Sequence, residues 1–264
     1  MNNEPVRSSD EKISENKAAE TSAEETAEVK ALSDNEVTAH TSSLWKYNPI
    51  PEKPEKYPEY RHSYGVDPDN RLSVTAARVR GKMHKHDGTN CDDWYEYNFG
   101  GGMAFAAVAD GAGSKLFSRI GAKTACEAAV KVMKQDFTEY FNSNTEAVSY
   151  AARPYSDPEF NRVCSELAGM IRNAASYAAK AVEDEAENRK SDKELIEAAG
   201  REPVLSDFSA TLLIAAVIPV ISEETGNAES LVISVQLGDG MIAAVNGDGE
   251  YPNALSLMGA ADSG

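Results

Sequence analysis

From Leu72 onward the chain falls into short alternating or wholly apolar runs broken by glycine and aspartate, the pattern of β-strands joined by tight turns. The pattern predicts strands at 72–80, 94–99, 103–109, 209–219, 231–237 and 241–246, with Gly100-Gly101-Gly102 turning the second into the third. Helical spacing appears over 114–137 and again from Pro158 to about Lys190. In the second segment Val163, Leu167, Ile171, Ala174 and Ala178 recur three or four residues apart, and Pro158 suits a first helical turn. Strands, then helices, then strands connected hairpin-fashion around Gly238-Asp239-Gly240 predict an α+β fold. The expected form is an antiparallel β-sandwich flanked by helices, an αββα arrangement, rather than a parallel βαβ fold.

The residues before Leu72 follow other patterns. Residues 1–43 are Glu, Ala, Ser, Thr and Lys with almost no large apolar side chains, too few to offset chain entropy. They are expected to form a disordered acidic leader, with a plain spacer as the simpler role and partner binding as the other. Residues 44–71 carry repeated prolines, which remove backbone donors and extend the residues before them. This stretch reads as a linker whose Trp45, Tyr47 and Tyr57 pack on the domain surface, so the folded domain is expected to be 72–264.

Charge and cysteine usage narrow the function. A formal net charge of -17 over 264 residues leaves no basic patch for a nucleic-acid backbone. The longest apolar stretch, 210–221, falls far short of the ~20 residues that span a bilayer. No apolar signal segment opens the sequence, so neither a membrane nor a nucleic acid is an expected partner. Cys91, Cys126 and Cys164 are widely separated, which suggests neither a disulfide framework nor a zinc site and points to the cytoplasm. The oligomeric state is not legible.

The segment AFAAVADGAGS is the most informative for chemistry, because an apolar strand ends in Asp110 and passes through Gly111 toward a helix. A carboxylate and a closely approachable glycine carbonyl are oxygen donors suited to Mg²⁺ or Mn²⁺. On these residues alone, a turn or helix N-cap explains Asp110-Gly111 better. Upstream, Asp92 and Asp93 open the strand that the glycine turn folds back beside Asp110. Carboxylates brought together in this way repel one another unless a cation is shared. Asp239, between two glycines in VQLGDGMIAAV, is a third candidate, with a plain hairpin turn as the alternative.

Together GKMHKHDGTNCDDWYEY, AFAAVADGAGS, DFSATLLIAAV and VQLGDG resemble, in order, the motifs of the type 2C (PPM) metal-dependent Ser/Thr protein phosphatases, particularly a bacterial-type branch. The resemblance implies hydrolysis of phosphoserine or phosphothreonine in a protein substrate by metal-activated water, using two Mn²⁺ or Mg²⁺ ions. Carried over by residue, it makes Asp110 the bridging ligand and Gly111 a carbonyl ligand. It makes Asp93 a ligand or supporting acid at the other metal, Asp239 an accessory ligand, and Asp110 with Asp93 the catalytic pair. Asp92 stands where the resemblance expects Gln, which leaves open which of Asp92 and Asp93 coordinates. Ala112 replaces a histidine frequent in eukaryotic relatives. No arginine stands at the usual phosphate-clamping distance, with Arg80, His84 and His86 as the substitutes. The family's later aspartate motifs do not appear before Gly264, and Asp262-Ser263-Gly264 has the reverse order. The chain is therefore expected to be C-terminally incomplete, with a catalytically inactive phosphatase-like binding or regulatory protein as the alternative to an enzyme.

Overall fold

The computed structural model describes residues 41–245 and the backbone of residues 255–260. Most of the expected leader, Asn246 and the Asp262-Ser263-Gly264 segment lie outside the described residues. The chain divides into a unit ending at Lys46 and a second unit, Tyr47–Gly264, which contains all the strands.

The second unit opens with β1 (Tyr60–Val66) paired antiparallel to β2 (Ser73–Val79) in unbroken register, Tyr60 opposite Val79 and Val66 opposite Ser73. This corrects the reading of 44–71 as linker throughout. The prolines stop at Pro58, and from Tyr60 the side chains alternate between exposed and half-buried, as a strand lying on another layer requires. Asp67 closes the connection by accepting from the Leu72 amide. Tyr57 is buried with its ring 5.3 Å from Trp94, so this part of the expected linker does pack on the domain. A short helix α1 (Lys82–Asp87) follows β2.

The main sheet runs β3 (Trp94–Gly100), β4 (Met103–Ala109), β5 (Leu212–Ile221) and β6 (Ala228–Leu237), in that order and antiparallel throughout. One face is given to helices. Met103, Phe105, Ala107 and Ala109 of β4 and Leu212, Ile214, Ala216 and Ile218 of β5 are buried there with α2 (Ser118–Ser143) and α4 (Pro158–Asn188). The small residues Ala122, Ala125, Ala129, Ala174 and Ala178 let the two helices approach closely over that face. Asp157 caps α4, its side chain accepting from the Glu159 amide at 2.7 Å, with Pro158 in the first turn.

Two boundaries differ instructively from the sequence reading. Helix α2 begins at Ser118 rather than Ser114, because Ala112 to Lys115 form a separate turn, closed by the Lys115 amide on the Ala112 carbonyl. Strand β5 continues beyond Pro219 to Ile221. At that end it pairs only with β6, its pairing with β4 having stopped at Val217, so the missing proline donor leaves no break in a two-sided ladder.

The other face of the sheet is met by β1 and, beyond β6, by β7 (Met241–Val245). Gly65 of β1 lies against the Tyr97 and Phe99 side chains. Strand β7 does not pair with β6 as the hairpin reading of Gly238-Asp239-Gly240 expected. It pairs instead with β8 (Leu255–Ala260), and the turn carries the chain from one sheet to another. Two antiparallel layers with helices form the expected α+β architecture, and among the described residues the long helices α2 and α4 lie on one side. Helix α3 (Ala147–Ala151) precedes α4, and α5 (Lys193–Ala199) follows it with a 3₁₀ turn at Leu205–Phe208 leading into β5. Among the described residues no helix is long and apolar enough to cross a membrane.

Candidate active site

The β3–β4 hairpin brings the start of one strand beside the end of the next, with Trp94 opposite Ala109. Asp93 and Asp110, each one residue beyond that pair, therefore sit side by side at one end of the main sheet. Asp110, whose side chain is exposed at the end of β4, is pushed up to about 6, first by the partial desolvation its neighbours impose, then by hydrogen bonding with and the charge of Asp93 and by the charge of Asp239, with His84 opposing in part.

The backbone around Asp110 is fixed from the β5 side. The Asp110 amide donates to the Thr211 hydroxyl at 3.0 Å, and the Thr211 amide donates to the Asp110 carbonyl at 2.8 Å. The Ala112 amide donates to the Ser209 carbonyl at 3.1 Å, so Gly111 and Ala210 form a bridge through their neighbours' hydrogen bonds. In such a pair the residue's own N–H and C=O point away from the partner strand, here toward the β3 side. Gly111 is also a close approach: a Cβ placed on it would stand 2.4 Å from the Asp92 carbonyl oxygen. Thr211 was not singled out in the sequence. Its signal was position, a hydroxyl one residue before the apolar run of β5, level with the Asp-Gly turn once the strands pair.

The structure separates the adjacent aspartates. Asp93 meets Asp110, whereas Asp92 is buried and lies 3.9 Å from His84. Burial is the main cause of a raised Asp92 pKa, with His84 and Arg119 opposing and Asp110 adding to the rise. Asp239 lies in the turn between β6 and β7 and shares a cavity of about 480 Å³ with Asp110, Thr211, Val108 and Leu213. It contributes charge to Asp110 without entering the hydrogen-bonded pair.

The candidate phosphate-binding cations also separate. Arg80 is 1% exposed, and its guanidinium donates to the carbonyls of Asn48, His84 and Thr89 at 2.7–3.0 Å, anchoring α1 and the segment before it. His84 is half-exposed beside Asp92, and the two line a second cavity, of about 590 Å³, that His86 of the same helix does not line.

Asp93, Asp110 and the Gly111 carbonyl are all hard oxygen donors, and the charge of Asp93 that helps raise Asp110 is a repulsion that a divalent cation between them would replace by attraction. The residues fit such an ion in donor type. Among the described residues no three His, Cys, Asp or Glu side chains converge closely enough to form a complete metal cluster. A family model described as Protein phosphatase 2C matches residues 80–260, a span that contains Asp92, Asp93, Asp110, Gly111 and Asp239. Comparisons with curated proteins and with solved structures gave no match.

Proposed function

We propose, from the premise that the chain belongs to the protein phosphatase 2C family, that it hydrolyses phosphoserine or phosphothreonine in a phosphoprotein substrate. The observation that carries this reading is the Asp93–Asp110 carboxyl pair at the end of the main sheet.

In this reading Asp93, Asp110 and the Gly111 carbonyl hold Mn²⁺ or Mg²⁺, and Asp239 stands ready as an accessory ligand. When bound, the ion supplies a water of lowered pKa and positive charge against the phosphoryl oxygens. The chain's own contribution is placement. The β3–β4 ladder sets the two carboxylates side by side, and Thr211 fixes the Asp110 backbone by accepting its amide. Gly111 lets the loop pack directly on Asp92, which a larger residue would prevent. Water attacks phosphorus in line, the serine or threonine oxygen leaves with a proton, and orthophosphate is the second product. The free, mostly buried cysteines agree with a reducing, cytoplasmic setting.

The test is release of orthophosphate from a phosphothreonine peptide by the full chain, with and without Mn²⁺, beside Asp110→Asn. Mn²⁺-dependent turnover that Asp110→Asn abolishes is expected. Turnover indifferent to Asp110 would overturn the site. No turnover at all would favour the binding or regulatory role.

A further inference from the structure

Beside the carboxylate pair lies a cavity of about 590 Å³ whose wall includes His84, Thr89, Asp92, Lys115 and Arg119, with Leu116 and Phe117 among its apolar residues. Its cationic groups are not equivalent. Arg119 is 5% exposed and is spent on backbone, donating to the carbonyls of Pro54, Glu55 and Leu116 at 2.7–3.2 Å. Lys115 is half-buried and forms no salt bridge among the described residues. The backbone of the Ala112–Lys115 turn sets it just beyond the Asp110-Gly111 loop.

His84 is held on one side only. Its Nδ1 is 2.7 Å from the Thr89 hydroxyl and 3.9 Å from the Asp92 carboxylate, while Arg80 fixes the His84 carbonyl from beneath at 2.7 Å. Both contacts use Nδ1, so Nε2 is the ring nitrogen left for a ligand. In the tautomer in which the Thr89 hydroxyl donates to Nδ1, the ring proton sits on Nε2 and makes it a donor, while the Asp92 carboxylate at 3.9 Å acts on the ring by charge rather than by a hydrogen bond.

We propose that His84 Nε2 and the Lys115 ammonium form the phosphoryl-binding side of the site, and that Asp92 is a positioning residue for His84 rather than a metal ligand. The ligand class is a phosphomonoester dianion or its orthophosphate product. The inference rests on the phosphatase reading for its substrate but not for its geometry. The two donors take the place of the phosphate-clamping arginine that the sequence lacks at its usual spacing, Arg80 being 1% exposed with Nε and Nη2 given to carbonyls and Nη1 buried without a partner. Hydrogen bonds to a charged group are worth enough that removing one weakens binding about tenfold or more.

The experiment compares His84→Gln, Lys115→Gln, Asp92→Asn and His86→Gln in the full chain, loaded with Mn²⁺. It measures KM and kcat on a phosphothreonine peptide, orthophosphate affinity by calorimetry, Mn²⁺ affinity and melting temperature. His84→Gln and Lys115→Gln are expected to raise KM and weaken orthophosphate about tenfold each, with Mn²⁺ affinity kept. Asp92→Asn is expected to follow His84→Gln at unchanged Mn²⁺ affinity and melting temperature, which separates positioning from metal ligation. Loss of Mn²⁺ affinity in Asp92→Asn, or an equal loss of phosphate in His86→Gln, would overturn the assignment. If the wild-type chain turns nothing over, the phosphatase reading fails while orthophosphate affinity still decides the anion site. Wild-type binding weakened by His84→Gln supports the site, and unmeasurable wild-type binding overturns it.

Discussion

Two acidic turns in this chain are written alike, Asp110 followed by Gly111 and Asp239 between Gly238 and Gly240, yet the fold gives them different surroundings. Asp110 ends a strand inside the sheet, with Asp93 against its carboxyl and Thr211 on its amide. Asp239 sits where the chain leaves the main sheet, between glycines at φ 91° and 118°, with Gln236 donating to the carbonyls on either side of it. Positive φ at both flanking positions makes glycine the fitting residue for the second turn. In the first turn Gly111 is required by close approach, not by φ. Equal sequence grammar therefore does not imply equal chemistry, because the neighbours across the strands decide it.

The sharpest way to break the contrast is substitution at the first turn. Asp110→Asn is expected to lower Mn²⁺-dependent phosphopeptide hydrolysis by about a hundredfold or more, the scale for losing a charge-stabilising group in an active site. A variant within a few-fold of wild type would dissolve the distinction between the turns. Gly111→Ala tests the same place through packing. Its Cβ would fall 2.4 Å from the Asp92 carbonyl oxygen, so a loss of about 1–3 kcal/mol in urea unfolding is expected. At Gly113, where an added Cβ meets nothing within 4 Å, Ala should be close to neutral.

Asp207 supplies a third carboxylate for comparison, on the 3₁₀ turn that feeds β5. Both its oxygens accept from Arg201 at 2.7 Å, and the Val204 amide adds a third hydrogen bond. Those contacts, led by Arg201, hold its carboxyl below the usual carboxylate range, the reverse of Asp110. The folded-state pKa is depressed, so the stabilisation is fully present above the unfolded value of about 4 and is lost as pH falls through the folded one. Melting temperature should thus drop below about pH 4, and Arg201→Gln should flatten that part of the profile. An unchanged profile would show that the Arg201–Asp207 pair contributes nothing to folding.

Much of the architecture was legible because β4 is an apolar run, β5 alternates buried and half-buried positions, and α4 carries an unbroken stripe at helical spacing, from Val163 to Ala178. Strand β1 was obscured by the prolines just before it, and its alternation is of polar residues such as Arg61 and Ser63, which become half-buried only by bonding to Tyr95 and Glu96 of another strand. The β6–β7 turn was misread as a hairpin for a related reason. Gly-Asp-Gly states that the chain turns, while the pairing partner of β7 lies further along the chain, in β8. At the candidate site, hairpin geometry led to the expectation that Asp92 or Asp93 lies near Asp110, with the choice between them open. That choice depends on His84, which arrives from α1 beside Asp92 and is distant in the sequence pattern from the hairpin.

The smallest effect is expected at the second turn, and it sharpens the comparison most finely because the two turns touch through one residue. The Thr211 hydroxyl accepts from the Asp110 amide, while a Cβ on Gly238 would stand 2.7 Å from the Thr211 methyl group. Backbone packing thus joins the turns even though their carboxylates do not bond. Asp239 acts on Asp110 only through charge, and interactions of that kind near solvent are worth about 0.2–1 kcal/mol. Asp239→Asn should therefore change phosphopeptide hydrolysis by no more than about fivefold at saturating Mn²⁺. A loss as deep as that of Asp110→Asn would mean that Asp239 closes onto the ion with Asp93 and Asp110, making the two turns halves of one metal centre.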